Sequence, residues 1–260
     1  MTPELIYDVG VHNGDDTAYY LRKGYRVVGV EANPEMVVIL QKRFATEIAS
    51  GALQLLEVGV SEDEGVLDFF VCNESSDWSS FNPNKAATGG KTNKAIKVRT
   101  VKFSSILQKY GVPYYCKIDI EGNDGICLQG VDPQDKPTYL SVEMSHARGD
   151  RDLNNLWELG YRRFKILSQA NFAPANALID RVARGVPGLI TWRVRWLEGK
   201  LLGKPNDGPW HFRMGSSGPF GDDLPGRWKT HDQALEIWRS LHDLDKRYAG
   251  ANWFDIHATS

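Results

Sequence analysis

Asp8-Val9-Gly10-Val11-His12-Asn13-Gly14 stands between an apolar run, Leu5 to Val9, and a stretch that opens on Asp15 and Asp16. The apolar run reads as a buried strand and the two glycines as a tight turn. Two carboxylates at the start of the next segment suit the positive end of a helix dipole. The helix predicted there stops at Lys23-Gly24, a cation followed by a C-cap glycine. A Val-rich strand, Arg26 to Glu31, comes next, and then Ala32-Asn33-Pro34. Asn33 suits an N-cap and Pro34 the first helical position. The second predicted helix places Val37, Leu40 and Phe44 on one face and ends near Ser50-Gly51.

Working outward, the same rhythm continues. Leu53 to Val60, Val66 to Cys72, Tyr114 to Ile120 and Thr138 to Met144 read as strands. Ile106 to Tyr110, Leu153 to Leu159 and His231 to Tyr248 read as helices, and Trp253 to His257 as a closing strand. Strands alternating with helices predict an α/β, Rossmann-like, mainly parallel doubly wound sheet. Composition shifts at Ala170 toward Gly, Pro, Arg and Trp, with residues 203–227 especially rich in turn formers. Sixty such residues read as an insertion lying over a site. The expected organisation is a core at 1–169, an inserted substrate lid at 170–230, and a helix and strand at 231–260 that complete the core.

Bulk composition narrows the class. With 42% hydrophobic and 25% charged residues, the chain has the make-up of a globular protein. A net charge of −2 gives no electrostatic case for nucleic acid as main partner. The three cysteines, Cys72, Cys116 and Cys127, lack C-x-x-C spacing, which argues for a reducing compartment and against a disulfide framework or zinc site. The start carries no signal-peptide pattern, and no apolar run approaches the roughly 20 residues a membrane-spanning helix needs. A cytoplasmic location is expected.

The chemistry begins at the glycine turn. A turn of this kind lets the backbone approach a cofactor and aims helix N-terminal amides at an anionic group. Glu31 closes the second strand twenty-one residues beyond Gly10, where an acid binds both hydroxyls of a ribose. The competing reading is a turn whose glycines serve only its geometry. A dinucleotide fingerprint requires glycine where this chain has His12 and Asp15, so pyrophosphate binding is disfavoured. Asp-x-Gly-x-x-x-Gly is instead a form typical of class I methyltransferases. Thr88-Gly89-Gly90-Lys91-Thr92 is no phosphate loop, because Lys85 occupies the place of its first glycine.

A second signal is Lys117-Ile118-Asp119-Ile120-Glu121-Gly122-Asn123-Asp124 at the end of a buried strand. Asp119 and Glu121 share side-chain parity, and mutual burial would separate their pKa values and leave one able to act as a base. The plainer alternative is a structural acid pair that holds Lys117 or a helix terminus.

Lys-Ile-Asp-Ile-Glu-Gly about a hundred residues after an Asp-Val-Gly turn resembles the FkbM family of methyltransferases. Val28-Gly29-Val30-Glu31-Ala32-Asn33-Pro34, Val58-Gly59-Val60-Ser61 and Val98 to Leu107 are similar to that family too. The likeness spans about residues 5 to 145. His12 and Asn13 depart from the family's usual loop, and contact with the cofactor carboxylate is expected to differ there. The resemblance implies a seven-stranded class I methyltransferase sheet, S-adenosylmethionine as cofactor, S-adenosylhomocysteine as product, and hydroxyl acceptors on sugars, polyketides and related metabolites. It implies a cofactor site at Asp8, Gly10, Gly14, Glu31 and Asp119, with Ser61 toward the adenine, and His12, Asn13 and Ala32 of the same turns are expected to line it.

Methyl transfer to oxygen gains from a base that takes the hydroxyl proton as the bond forms. Candidates at strand ends are His146, Asp119, Glu143 and Glu121, with His146 first because it titrates nearest neutral pH. His146 as a surface cap is the plain alternative. Asp119, Glu143 and His146 also offer ligands for a divalent ion, although no metal is predicted. The Asn/Asp-Pro-Pro-Tyr string of amine and base N-methyltransferases does not occur, so oxygen is the expected acceptor. Trp78 with Ser75, Ser76, Ser79 and Ser80, and Trp210-His211-Phe212-Arg213, read as aromatic, hydrogen-bonding surfaces suited to sugar rings. Residues 189–202, with Trp192, Trp196, Leu197, Leu201 and Leu202 beside Arg193, Arg195 and Lys200, read as an amphipathic helix for self-packing, a second subunit or a membrane surface. The partners expected are a small molecule or glycan and no nucleic acid, with a homo-oligomer allowed. A nicotinamide-dependent oxidoreductase and a non-catalytic nucleoside-binding module are the alternative functions.

Overall fold

The computed structural model describes residues 4–144, 148–169, 171–175, 201, 203, 206–213, 215–248 and 253–260. The chain divides into two compact units, Met1–Thr138 and Tyr139–Ser260.

The first unit opens with strand β1 (Leu5–Val9), helix α1 (Asp15–Arg22), strand β2 (Arg26–Glu31), helices α2 (Pro34–Arg43) and α3 (Ala45–Ala49), and strand β3 (Leu53–Glu57). Strands β4 (Gly59–Val60) and β5 (Gly65–Cys72), helix α4 (Pro83–Ala86) and strand β6 (Asn93–Val101) follow. Helix α5 (Phe103–Tyr110), strand β7 (Tyr115–Ile118) and helix α6 (Asp124–Gln129) complete it. Strands β3, β2, β1 and β7 pair side by side and all run parallel. The local signals act as expected. Asn33 accepts the Glu35 N–H at 3.0 Å with Pro34 behind it, which satisfies one of the free donors at the start of α2. On α1, Tyr19 and Tyr20 are buried, and Tyr20 meets Tyr115 of β7 edge-on at 5.7 Å. Burying side chains of this size contributes roughly 1.5–3 kcal/mol apiece.

The predicted strand over 53–60 is broken. Val58 N–H turns to the Glu31 carbonyl at 3.1 Å, and β4 leaves to pair with β6. Gly59 makes the exit feasible, because a Cβ there would lie 2.2 Å from the Phe81 ring. Strands β4, β6 and β5 make a separate three-stranded sheet in that order, and β6 is a strand that the sequence pattern did not mark. From Ile96 to Thr100 the exposed Lys97 and Arg99 alternate with more buried residues, since only one face is covered.

The second unit holds strand β8 (Tyr139–Glu143), helix α7 (Gly149–Glu158), strand β9 (Arg163–Ser168), the short pair β10 (Asn206–Asp207) and β11 (Trp210–His211), helix α8 (His231–Tyr248) and strand β12 (Phe254–Thr259). Strand β12 lies between β8 and β9 and is antiparallel to both, a departure from the parallel expectation that the β5–β6 and β10–β11 pairs share. Ala234, Ile237, Trp238 and Leu241 recur at helical spacing and form the buried stripe of α8. The described parts of 170–230 pack on β9, where Leu167, Phe172 and Leu224 cluster with Phe212. The tryptophan-rich amphipathic stretch of 189–202 lies outside the described residues. The strands of the α/β fold take the order β3-β2-β1-β7 in the first unit and β8-β12-β9 in the second.

Candidate functional site

Within the first unit the chain leaves β1 toward β2 on one side, while β7 pairs on the other. A parallel sheet opens a crevice at the carboxyl ends of strands on either side of such a reversal. The Gly10 turn, Glu31 and the Asp119–Glu121 stretch all stand at those ends.

Lys117 organises the floor. It pairs with Asp8 across the β1–β7 ladder, and its ammonium reaches Asp8 Oδ1 at 3.0 Å and the Gly10 carbonyl at 2.9 Å. Asp16 lies 3.8 Å from the same nitrogen. Thr17 donates to the second Asp8 oxygen at 2.6 Å. Asp8 is fully buried, so its carboxylate acts on the site through the turn. Burial pushes Lys117 down, but the carboxylates of Asp8, Asp119 and Asp16 outweigh it and hold the ammonium above its ordinary range. Buried charges persist only when paired and hydrogen-bonded in this way.

Above that floor, Gly10 (φ +90°) approaches the start of the β7 exit loop so closely that a Cβ would lie 1.8 Å from the Asp119 carbonyl oxygen. Asp119 N–H donates to Val9 O at 2.9 Å. Glu31 is buried at the end of β2, and each carboxylate oxygen accepts one backbone N–H, from His12 and from Asn33, both at 2.8 Å. Burial pushes its pKa up, and these two amides oppose the shift. The Asn13 side chain turns to the Asp15 N–H at 2.9 Å, and Gly14 (φ +83°) precedes α1 against Phe44 and Leu40. Ala32 is half-buried beside this turn. Ser61 is buried after β4, and its hydroxyl donates to the Asp63 carbonyl.

Three non-glycine residues among those described have positive φ, and two of them, His12 (φ 49°) and Glu121 (φ 53°), are here. Backbone held in that region costs energy and concentrates at functional sites. Asp124 fixes the turn that carries Glu121 by accepting Ile120 N–H at 2.9 Å and Gly122 N–H at 3.1 Å. Burial raises the Asp119 carboxyl against the pull of Lys117. Glu121 is raised by burial and by Asp119, and Lys85 opposes this. Asp119 is pushed up to about 6 and Glu121 to about 7.

The structure brings in the segment of Trp78 and its neighbouring serines, which the sequence marks as an aromatic, hydrogen-bonding surface. Residues 73–92, between β5 and β6, return to the strand ends. Ser76 Oγ lies 2.9 Å from His12 Nε2, Ser80 donates to Glu121 O at 2.7 Å, and Lys85 pairs with Glu121 Oε2 at 2.7 Å. Burial lowers the His12 pKa, with Asp77 opposing and Lys117 adding to it. Lys85 had no sequence signal of its own. Glu143 ends β8 in the second unit and is buried there, whereas His146 lies outside the described residues.

The family described as Methyltransferase FkbM domain matches residues 8–166. No curated protein matches the chain. Among solved structures, the precorrin-6Y C5,15-methyltransferase of Geobacter metallireducens GS-15 is similar, at 13% identity and TM-score 0.36, covering 64% of this chain and 68% of that one. The C-terminal domain of the Rhodobacter capsulatus precorrin-6Y C5,15-methyltransferase gives 12% identity and TM-score 0.38, over 65% and 67% of the two chains. The Haemonchus contortus phosphoethanolamine N-methyltransferase 2 in complex with S-adenosyl-L-methionine gives 9% and 0.39, over 100% and 49%. At these identities and scores the family assignment rests on the domain match, which takes in the glycine turn, Glu31 and the Lys117–Glu121 strand end. The chain belongs to the FkbM methyltransferase family, and it is an S-adenosylmethionine-dependent methyltransferase.

Proposed function

We propose that the protein methylates a hydroxyl oxygen of a sugar or related small metabolite. The observation that carries this reading is the Asp119–Glu121 pair, a half-buried carboxyl couple beside the Gly10 turn whose proton affinity is raised toward neutrality. A hydroxyl, unlike a neutral amine, must lose its proton as the new bond forms, and a carboxylate with a raised pKa suits that task near neutral pH.

The residues present fit the cofactor. Glu31 is a carboxylate immobilised by two backbone N–H groups, one lone pair of each oxygen used, which leaves acceptor capacity for two ribose hydroxyls. Gly10, His12, Asn13 and Gly14 would line the methionine end through backbone atoms, with Asp8 and Lys117 holding the turn beneath them. Asp119 would face the reacting end, and Ser61 the adenine. S-adenosylmethionine supplies an already activated methyl group, so the chain's work is alignment, exclusion of water and acceptance of one proton. In this reading Glu121 accepts that proton, and Lys85 orients its carboxylate. This reading puts the base in the first unit; the other candidate, His146, lies outside the described residues.

The test is methyl transfer from radiolabelled S-adenosylmethionine to a panel of sugars, polyols and phenols, with primary amines alongside and EDTA in a parallel series. Labelled methyl ethers without labelled amines support the reading. Transfer to amines alone refutes it, and loss of activity in EDTA would bring in a divalent ion.

A further inference from the structure

Residues 73–92 carry more than the two tethers to His12 and Glu121. Trp78 is half-buried in a single helical turn between Ser75 and Ser79. Two ammonium groups approach its ring, that of Lys85 at 5.8 Å from the centroid and that of Lys91 at 4.1 Å. Their circumstances differ. The charge of Lys85 is used on Glu121 at 2.7 Å. Lys91 donates to the Thr88 carbonyl at 3.1 Å and meets no carboxylate among the described residues.

The acids of the segment are engaged elsewhere. Glu74 accepts the backbone N–H of Thr92 at 3.0 Å and its hydroxyl at 2.8 Å, while Asp77 accepts from Ser75. Lys91 is thus a cation held over an indole face, in a segment whose neighbouring residues grip both the glycine turn and the acid pair. An indole has two faces, and the one opposite a cation can take the C–H face of a sugar ring. The ammonium held at the ring supplies a charge-assisted hydrogen bond to an anionic substituent.

We propose that residues 73–92 form the acceptor subsite, and that Lys91 on the Trp78 face selects hydroxylated rings bearing an anionic group over neutral ones. The proposal rests on the O-methylation reading for the reaction but not for the binding. The anion is recognised by charge and hydrogen bonding, so a carboxylate and a phosphate are both admissible and are separated experimentally.

The protein saturated with S-adenosylhomocysteine is titrated calorimetrically with glucuronate, glucose 6-phosphate and glucose, and the three are compared as methyl acceptors. At least one anionic probe is expected to bind about tenfold or more tightly than glucose, the scale of one charge-assisted hydrogen bond. That preference should shrink as salt is raised. Lys91→Met is expected to abolish it and to raise KM for the anionic acceptor far more than it lowers kcat. Lys91→Arg should retain it, and Trp78→Ala should weaken all three ligands. Lys94→Met, an exposed lysine on β6, serves as the control that changes nothing. Equal binding of glucose and both anions, a preference that survives Lys91→Met, or no binding of any probe overturns the subsite. Lys91-dependent anion binding without methylation of any hydroxyl keeps the subsite and removes the O-methyl reading. Methylation of neutral acceptors alone does the reverse.

Discussion

The ammonium of Lys117 on β7 lies 3.0 Å from the carboxylate of Asp8 on β1, 109 residues away in sequence, with both side chains almost wholly buried. Removing one partner of a buried pair strands the other charge, at a cost of about 3–5 kcal/mol. Lys117→Met should therefore lower the urea midpoint sharply, and Lys117→Met with Asp8→Leu should recover much of the loss. A double variant no more stable than the single one would show that the pair is not the origin of the effect.

Glu31 bears on the cofactor. Glu31→Gln keeps the shape but removes the charge that two ribose hydroxyls would meet. Affinity for S-adenosylhomocysteine should fall by about 1.5–3 kcal/mol in calorimetry. An unchanged affinity would remove Glu31 from the ribose.

Gly10 and Gly24 make a matched contrast, with φ +90° and +88°. A Cβ at Gly10 would sit 1.8 Å from the Asp119 carbonyl, whereas one at Gly24 meets nothing within 4 Å. Gly24→Ala should cost only the left-handed backbone penalty, about 1–2 kcal/mol. Gly10→Ala should exceed about 4 kcal/mol or prevent folding, because the clash is with backbone that cannot move aside. Similar thermal midpoints for the two variants would contradict the close approach.

The Asp119–Glu121 pair is raised above the unfolded values of about 4. Between about pH 4 and pH 7 the native state then holds more protons than the unfolded chain, so these groups make stability fall as pH rises. Glu121→Gln should flatten that fall when urea midpoints near pH 5 and pH 8 are compared. Turnover of the wild type should rise with pH through the range of about 6 to 7 as the pair ionises, and the Gln variant should lose most of it. A turnover that does not respond to pH across this range would exclude the pair as the base.

His257 on β12 has the opposite sign. It is buried with no partner for either ring nitrogen among the described residues, and burial, with Lys165 adding, pushes its pKa down to about 3. The unfolded chain takes up a proton below about 6.5 that the native state refuses, so stability drops as pH falls from about 6.5 toward 3. His257→Leu should reduce the difference in urea midpoint between about pH 7.5 and pH 5. An undiminished difference would place the acid sensitivity elsewhere.

By itself the sequence determined what short-range physics controls. Apolar runs, glycines at forced turns, the Asn33-Pro34 cap and the acid closing β2 act over a few residues, so β1, α1, β2 and α2 were legible with the turn between them. The Lys117–Glu121 string was equally legible as a buried strand with acids at its end. Only the tertiary structure decided which distant groups meet. His12 finds Ser76 across 64 positions, and Lys85 is brought onto Glu121 by the pairing of β5 with β6. Such contacts follow from sheet registry and loop closure, to which no local propensity responds. The break at Val58 has the same origin, since Leu53 to Val60 is apolar enough for one strand until Gly59 must pass beneath Phe81.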